Sequence, residues 1–214
     1  MYSPPPGYAD LLSDAEDRPA TGVFVRLEVP EVGTVLARKP GPTGVASLAM
    51  SGNPSLSNLD RTDHMVQFVS QHLDDGELER LYFSMMVESG PTNSIERAAR
   101  ALATWGTARP YVAVVTLCVM TGYHWRTMRH KLLSAGIIDP LSLVSMHALL
   151  DFTEATIIES MSNGEHARRD ITTFHTQMYG PSGDTLNGDY NPVPAGFAPD
   201  EVEDSFDAFA RAAR

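Results

Sequence analysis

At 214 residues with a formal net charge of -11, the chain is sized for one compact domain with appendages or for two small ones. That charge argues against a nucleic-acid-binding role, which needs a basic face to neutralise phosphates. Cys118 is the single cysteine, so no disulfide framework can form within the chain, and its apolar surroundings suit a small core residue better than a reactive thiol.

Residues 1–20, rich in Pro, Gly, Asp and Ser, carry too few large apolar side chains to offset the entropy of ordering them, and are expected to be disordered. Leu11 and Leu12 offer at most a small docking spot. The segment has prolines and acids where a secretory signal needs a basic patch and an apolar stretch. From Gly22 the pattern changes. Val23, Val25, Leu27 and Val29 alternate, Glu31-Val32-Gly33 reads as a turn, and Val32 to Ala37 forms a second β-type run. A β-hairpin or extended arm is expected, and it needs a helix or another strand beneath it, because an isolated hairpin is marginal in water. Pro40 to Pro54 reads as a loop with one helical turn around Val45 to Met50.

Helical periodicity begins near Asn58. Asp60 or Asp63 caps a helix carrying Met65, Phe68, Val69 and Leu73. Asp74 and Glu77 have capping-box spacing before Leu78, Leu81, Tyr82, Met85 and Met86, a one-sided apolar stripe. Gly90-Pro91 stops that helix. Asn93 and Glu96 repeat the spacing ahead of Ile95, Ala98, Ala99, Leu102 and Trp105, with Gly106 as the C-terminal cap. Tyr111 to Met120 is β-branched enough for a strand, but Pro110 and the helical surroundings favour a buried helix. The chain's longest apolar run, Val112 to Met120, is about half the roughly 20 residues that span a bilayer. The acidic charge and the single cysteine in an apolar run together favour a cytosolic protein.

Gly122 is expected to kink or interrupt this run. Trp125, Met128, Leu132 and Leu133 then mark a helix that Gly136 ends. Asp139-Pro140 starts the next, with Leu143, Met146, Leu150, Ile157 and Met161 on one face, widened by Leu149 and Phe152. After Asn163-Gly164 a short continuation runs from Glu165 to Met178. Residues 180–199 are linker by composition. In 200–214, Asp200 and Glu203 box a helix with Val202, Phe206, Phe209, Ala210 and Ala213 on one stripe. The expected fold is mainly α: a small helical bundle with an N-terminal extended or β-hairpin arm, a disordered N-terminus and a C-terminal amphipathic helix after a flexible linker. The divisions are 1–20, 21–57, 58–108, 109–179, 180–199 and 200–214.

No grouping demands chemistry. His147 and Asp151 are four apart on a helix, but no Cys cluster, H-E-x-x-H or second histidine pair accompanies them, so a hydrogen-bonded pair is a better reading than a metal site. Glycines 41, 44 and 52 lack the Lys-Ser or Lys-Thr of a phosphate loop, and no serine sits in a G-x-S-x-G context. No cofactor and no enzymatic activity is expected. Arg126, Arg129 and Lys131 form a basic patch beside Tyr123 and Trp125. In an acidic chain it reads first as a face paired with the protein's own acids, and second as a protein-binding surface. The methionines 65, 85, 86, 120 and 128 read as core, or else as an adaptable groove for an apolar helix.

Three stretches carry a family likeness. Ala37 to Pro40 (ARKP) precedes the small helical region HLDDGELERLYFSMM and IERAARALATWGTARPY. A W-x-x-x-R helix (Trp125, Arg129) leads into G-I-x-D-P-L-x-L (Gly136 to Leu143). A His-x-Leu-Leu-Asp helix (His147 to Asp151) and an acidic Pro/Gly-rich tail follow. Over roughly residues 32–180 the chain resembles the tail assembly chaperones of long-tailed, siphovirus-type phages of actinobacteria. The resemblance implies a non-enzymatic protein of the host cytoplasm, absent from the mature virion. Such a protein binds the tape measure protein, keeps it soluble and helps recruit tail tube protein. It also implies two product lengths from programmed frameshifting, with Trp125 onward in the extension. Candidate partner-binding residues are Leu78, Leu81, Tyr82, Met85, Trp125, Arg126, Arg129, Leu143, Met146, Leu150, Phe206 and Phe209, and self-association is a further expectation. The rival readings are a phage structural adaptor, such as a head–tail connector or completion protein, and a helix-turn-helix regulator, which the net charge disfavours.

Overall fold

A computed structural model describes residues 6–16, 18–164 and 166–180. The helix-rich expectation holds, with a two-stranded antiparallel hairpin near the N-terminus. The elements are α1 (Pro6–Glu16), β1 (Val25–Val29), β2 (Gly33–Ala37), α2 (Gly44–Ser51), α3 (Asn58–His72), α4 (Asp75–Met86), α5 (Ser94–Ala103), α6 (Tyr111–Ser134), a 3-10 turn (Pro140–Ser142), α7 (Met146–Ser162) and α8 (Ala167–Tyr179). The expected linker beyond Gly180 and the helix over 200–214, with Phe206 and Phe209, lie outside the described residues.

Helix α6 is the axis. The stripe Ala113, Val114, Leu117, Cys118, Thr121, Trp125, Met128 and Leu132 is buried along its whole length, and α1, α2, α5, α7 and α8 pack against it. The helix reading of Tyr111 to Met120 is therefore right, because burial outweighs the modest helix penalty of valine and threonine. Burial also pushes the Cys118 thiol pKa well up, so it stays protonated. Gly122 does not interrupt the helix. A Cβ there would stand 2.8 Å from the Tyr8 ring, and one on Gly7 would stand 2.6 Å from the Gly122 carbonyl. The missing side chains let α1 lie directly on α6.

That contact corrects the reading of residues 1–20 over Pro6–Glu16 alone. Pro6–Glu16 is helical, and Tyr8 and Leu11 are fully buried, with Tyr8 edge-on to Tyr123 at 5.1 Å between ring centroids. The segment is poor in apolar residues, but it spends the ones it has on a single face.

The loop expected over 40–54 is likewise more ordered than its composition suggested. Helix α2 runs for two turns, with Gly44 to Met50 all buried between α3 and α6. Small residues permit the close approach: a Cβ on Gly52 would come within 2.4 Å of Val115 and 2.9 Å of Val119.

The hairpin pairs Val25 with Ala37 and Val29 with Gly33. Pro30 and Glu31 occupy the turn, Glu31 with φ 63° and Gly33 with φ 93°, and the Val32 amide donates to the Val29 carbonyl at 3.1 Å. Its buried side (Val29, Val35, Ala37) faces the core, and β1 packs on α5, the support the hairpin needed. The β2 edge is extended by an Ala37–Leu73 bridge and by Asp74 N–H donating to the Leu36 carbonyl at 3.0 Å. Val23 lies outside the strand and is exposed.

The starts of α3 and α7 differ from expectation, and neither Asp74 ahead of α4 nor Asn93 ahead of α5 makes a side-chain capping bond. Ser57, rather than Asp60 or Asp63, caps α3, its hydroxyl accepting from Asp60 N–H at 3.2 Å. Asp139 caps only the 3-10 turn, accepting from Leu141 N–H at 3.1 Å. Helix α7 begins later, under Ser145, which accepts from Ala148 N–H at 3.1 Å. Leu143 is extended, and the Met146 amide donates to the Pro40 carbonyl at 3.2 Å, anchoring the new start beside α2. Gly106 and Gly136, with φ 82° and 85°, close α5 and α6 as expected.

Candidate interaction surfaces

Helix α4 is held to the body by one edge. Its expected capping box does not form, because Glu77 is engaged elsewhere. It accepts the Leu36 amide at 3.2 Å and Arg80 Nε at 2.7 Å, while Arg80 donates to the Thr34 carbonyl at 3.0 Å. This clamp ties α4 to β2. Of the apolar stripe, Leu81 alone is fully buried, and Leu78 and Met85 are partly covered. The rest of the stripe and the side beyond it are uncovered: Tyr82 is 41% exposed, Phe83 66%, Met86 81% and Val87 49%. The helix ends in a Schellman-type arrangement, with Ser89 N–H donating to Ser84 O at 3.0 Å. Glu88 occupies the left-handed position at φ 54°, which ordinarily belongs to glycine.

The basic patch on α6 lies under the acids of α1. Arg126 Nε meets Asp10 at 2.5 Å, Arg129 meets Asp14 at 3.0 Å, and the Trp125 indole N–H donates to Asp14 at 2.8 Å. The hydrogen bond from Arg126 holds the Asp10 carboxyl below the usual carboxylate range. Lys131 pairs with Glu159. The patch pairs with the protein's own acids, the first of its two readings.

A third cluster had no warning in the sequence. Arg109, just ahead of α6, pairs with Glu154 at 2.5 Å and Asp151 at 2.7 Å, and Tyr179 donates to Glu154 at 2.6 Å. Arg109 and Glu154 are nearly enclosed, with side chains 14% and 8% exposed. Burial opposes the Arg109 charge, but bonds to Glu154, Tyr179 and Asp151 outweigh it and keep the guanidinium charged; burial pushes the Tyr179 hydroxyl up. With its charges satisfied, the cluster is a clamp joining the α5–α6 loop to α7 and α8. It also takes Asp151 away from His147, so the expected His147–Asp151 pair does not form. Among the described residues no group of three or more His, Cys, Asp or Glu could hold a metal ion.

The sequence matches a family described as phage tail assembly chaperone protein over residues 1–110, just over half the chain. The chain belongs to the phage tail assembly chaperone family. Residues 120–214 match a second family, one of unknown function (DUF7240). The W-x-x-x-R and G-I-x-D-P-L-x-L stretches fall in that second segment, so the chaperone match rests on the N-terminal half, α4 included. No curated protein and no solved structure matches the chain.

Within this chaperone the candidate contact residues separate sharply. Leu81, Trp125, Met146 and Leu150 are core. Leu78, Met85 and Leu143 are partly covered, and Tyr82, Arg126 and Arg129 reach the surface. Sequence reading missed Phe83 and Val87, since a stripe search follows the buried side of a helix and ignores a second apolar side. It also missed Asp10 and Asp14, although their i,i+4 spacing beside Tyr8 and Leu11 was a readable signal.

Proposed function

We propose that this chaperone binds the tape measure protein, keeps it soluble and helps recruit tail tube subunits before the tube polymerises. It acts without catalysis, in the host cytoplasm, and is absent from the mature virion. Membership of the tail assembly chaperone family over residues 1–110 carries the reading. The likeness over residues 32–180 supplies the named partners. The fold supports it through an apolar helix face left uncovered on an acidic body, the combination a holdase for an aggregation-prone helical client needs. Two product lengths from programmed frameshifting, with Trp125 onward in the longer form, belong to the same proposal.

Co-expression with the tape measure protein tests it: the client should stay soluble and co-purify. Peptide mapping of purified virions should find none of this chain, whereas a head–tail adaptor would be present. A DNA-binding regulator is disfavoured by the pairing of Arg126 and Arg129 with Asp10 and Asp14.

A further inference from the structure

The exposed side of α4 combines two properties that together define its occupant. Tyr82, Phe83, Met86 and Val87 form a continuous apolar strip, since residues three and four apart share a helix face. Asp75 and Glu79 continue that face toward the helix N-terminus, and Glu88 follows directly after it. These three acids make no ion pair among the described residues, whereas Glu77, Glu96 and Glu154 each hold an arginine. We propose that this face docks a cationic amphipathic helix, one whose apolar stripe is flanked by Lys or Arg. The inference rests on the chaperone reading and locates its client site.

Charge decides among the occupants. A second copy docking through the same face would set Asp75, Glu79 and Glu88 against their own counterparts. The chain's own residues 200–214 carry Asp200, Glu201, Glu203, Asp204 and Asp207 against Arg211 and Arg214, so that segment is repelled too. A basic-flanked helix buries the strip and neutralises all three acids. Like-charge juxtaposition also excludes acidic apolar segments, which gives the surface selectivity as well as grip.

The test uses the full chain and two synthetic helical peptides with one Leu/Phe stripe, flanked by Lys in one and by Glu in the other. Fluorescence anisotropy should show the Lys peptide binding at least roughly ten-fold tighter, with affinity falling as salt rises. Phe83→Ser/Met86→Ser should abolish binding of the Lys peptide, and Glu79→Lys/Glu88→Lys should reverse the preference. Both variants change exposed positions, and circular dichroism should show them folded.

Equal binding of the two peptides overturns the proposal, as does unchanged binding by the Phe83→Ser/Met86→Ser protein. Conversion of a sedimenting dimer to monomer by that variant would assign the face to a second copy. Faster hydrogen exchange in α4 on Phe206→Ser/Phe209→Ser would assign it to residues 200–214. Either result overturns the proposal. Co-expression separates it from the chaperone reading. If wild type fails to keep the tape measure protein soluble, that reading falls. If wild type and Phe83→Ser/Met86→Ser protect it equally, only the α4 site falls.

Discussion

The Arg109 clamp is costly to break at one member. Removing Arg109 would leave Glu154 enclosed without its counter-charge and Asp151 without its partner. Arg109→Met should therefore destabilise the fold by about 3 kcal/mol in urea unfolding. His72 sets a second expectation. It is fully buried, with Nδ1–H donating to the Phe68 carbonyl at 2.6 Å, and burial pulls its pKa down to about 4 from 6.5. Below pH 6.5 the unfolded chain takes up a proton that the folded chain refuses, so stability falls from that point down toward pH 4. The full loss is about 3 kcal/mol. Burial lowers His147 and His175 in the same direction. Thermal melts across pH 7 to 5 should show the decline. His72→Asn, which keeps a donor for Phe68, should flatten it by about one proton's worth of slope.

Among the elements, α1 and α4 make opposite cases. Helix α1 is held by Tyr8 and Leu11 rather than by its exposed ion pairs. Leu11→Ala should cost about 2–5 kcal/mol, whereas Asp10→Asn, at an exposed pair, should change stability little. Proteolytic nicking of residues 6–16 should rise only in the first. Helix α4 carries strain in its left-handed Glu88. Glu88→Gly should raise stability by about 1 kcal/mol while weakening the cationic-peptide binding proposed for this face, a separation readable by melting and anisotropy on one protein. The same two helices show what the sequence disclosed. Periodicity located α3, α4, α5 and the second half of α6, because each has one apolar stripe, with a recognisable stop such as Gly106 or Gly136. The first half of α6 is read from Pro110 and its helical surroundings, and its unbroken run through Gly122 is not expected from the sequence. Periodicity missed α1 and gave α2 only a single turn around Val45 to Met50. A helix of small residues buried on all sides has no stripe, and a short helix whose acids bind a partner more than a hundred residues away looks like a tail. The exposed face of α4 was half legible: Tyr82 and Met86 belong to the stripe read from the sequence, while Phe83 and Val87 needed the burial pattern, and Leu78, Leu81 and Met85 pack inward.

At the scale of the whole molecule, the border between the two matched families falls near the start of α6 and does not divide the core. Helix α2 lies in the first segment, yet α6, almost all of it in or beside the second, covers one of its faces. A chain ending at residue 110 should therefore fail to form the native core. It should bind a hydrophobic dye and lose cooperative unfolding, since α2 would expose Leu48 and Ala49.

The docking of α1 on α6 also sets a clock. Asp14 and Trp125 are 111 residues apart, and at a synthesis rate of about 5–20 residues per second the first waits roughly 6–22 seconds for the second to be made. During that interval Tyr8 and Leu11 have no groove to enter, and their apolar face stays uncovered. Closure of α1 is then the step that reports completion of α6, so any event on the ribosome that delays or diverts the reading of residues 111–134 prolongs the open state.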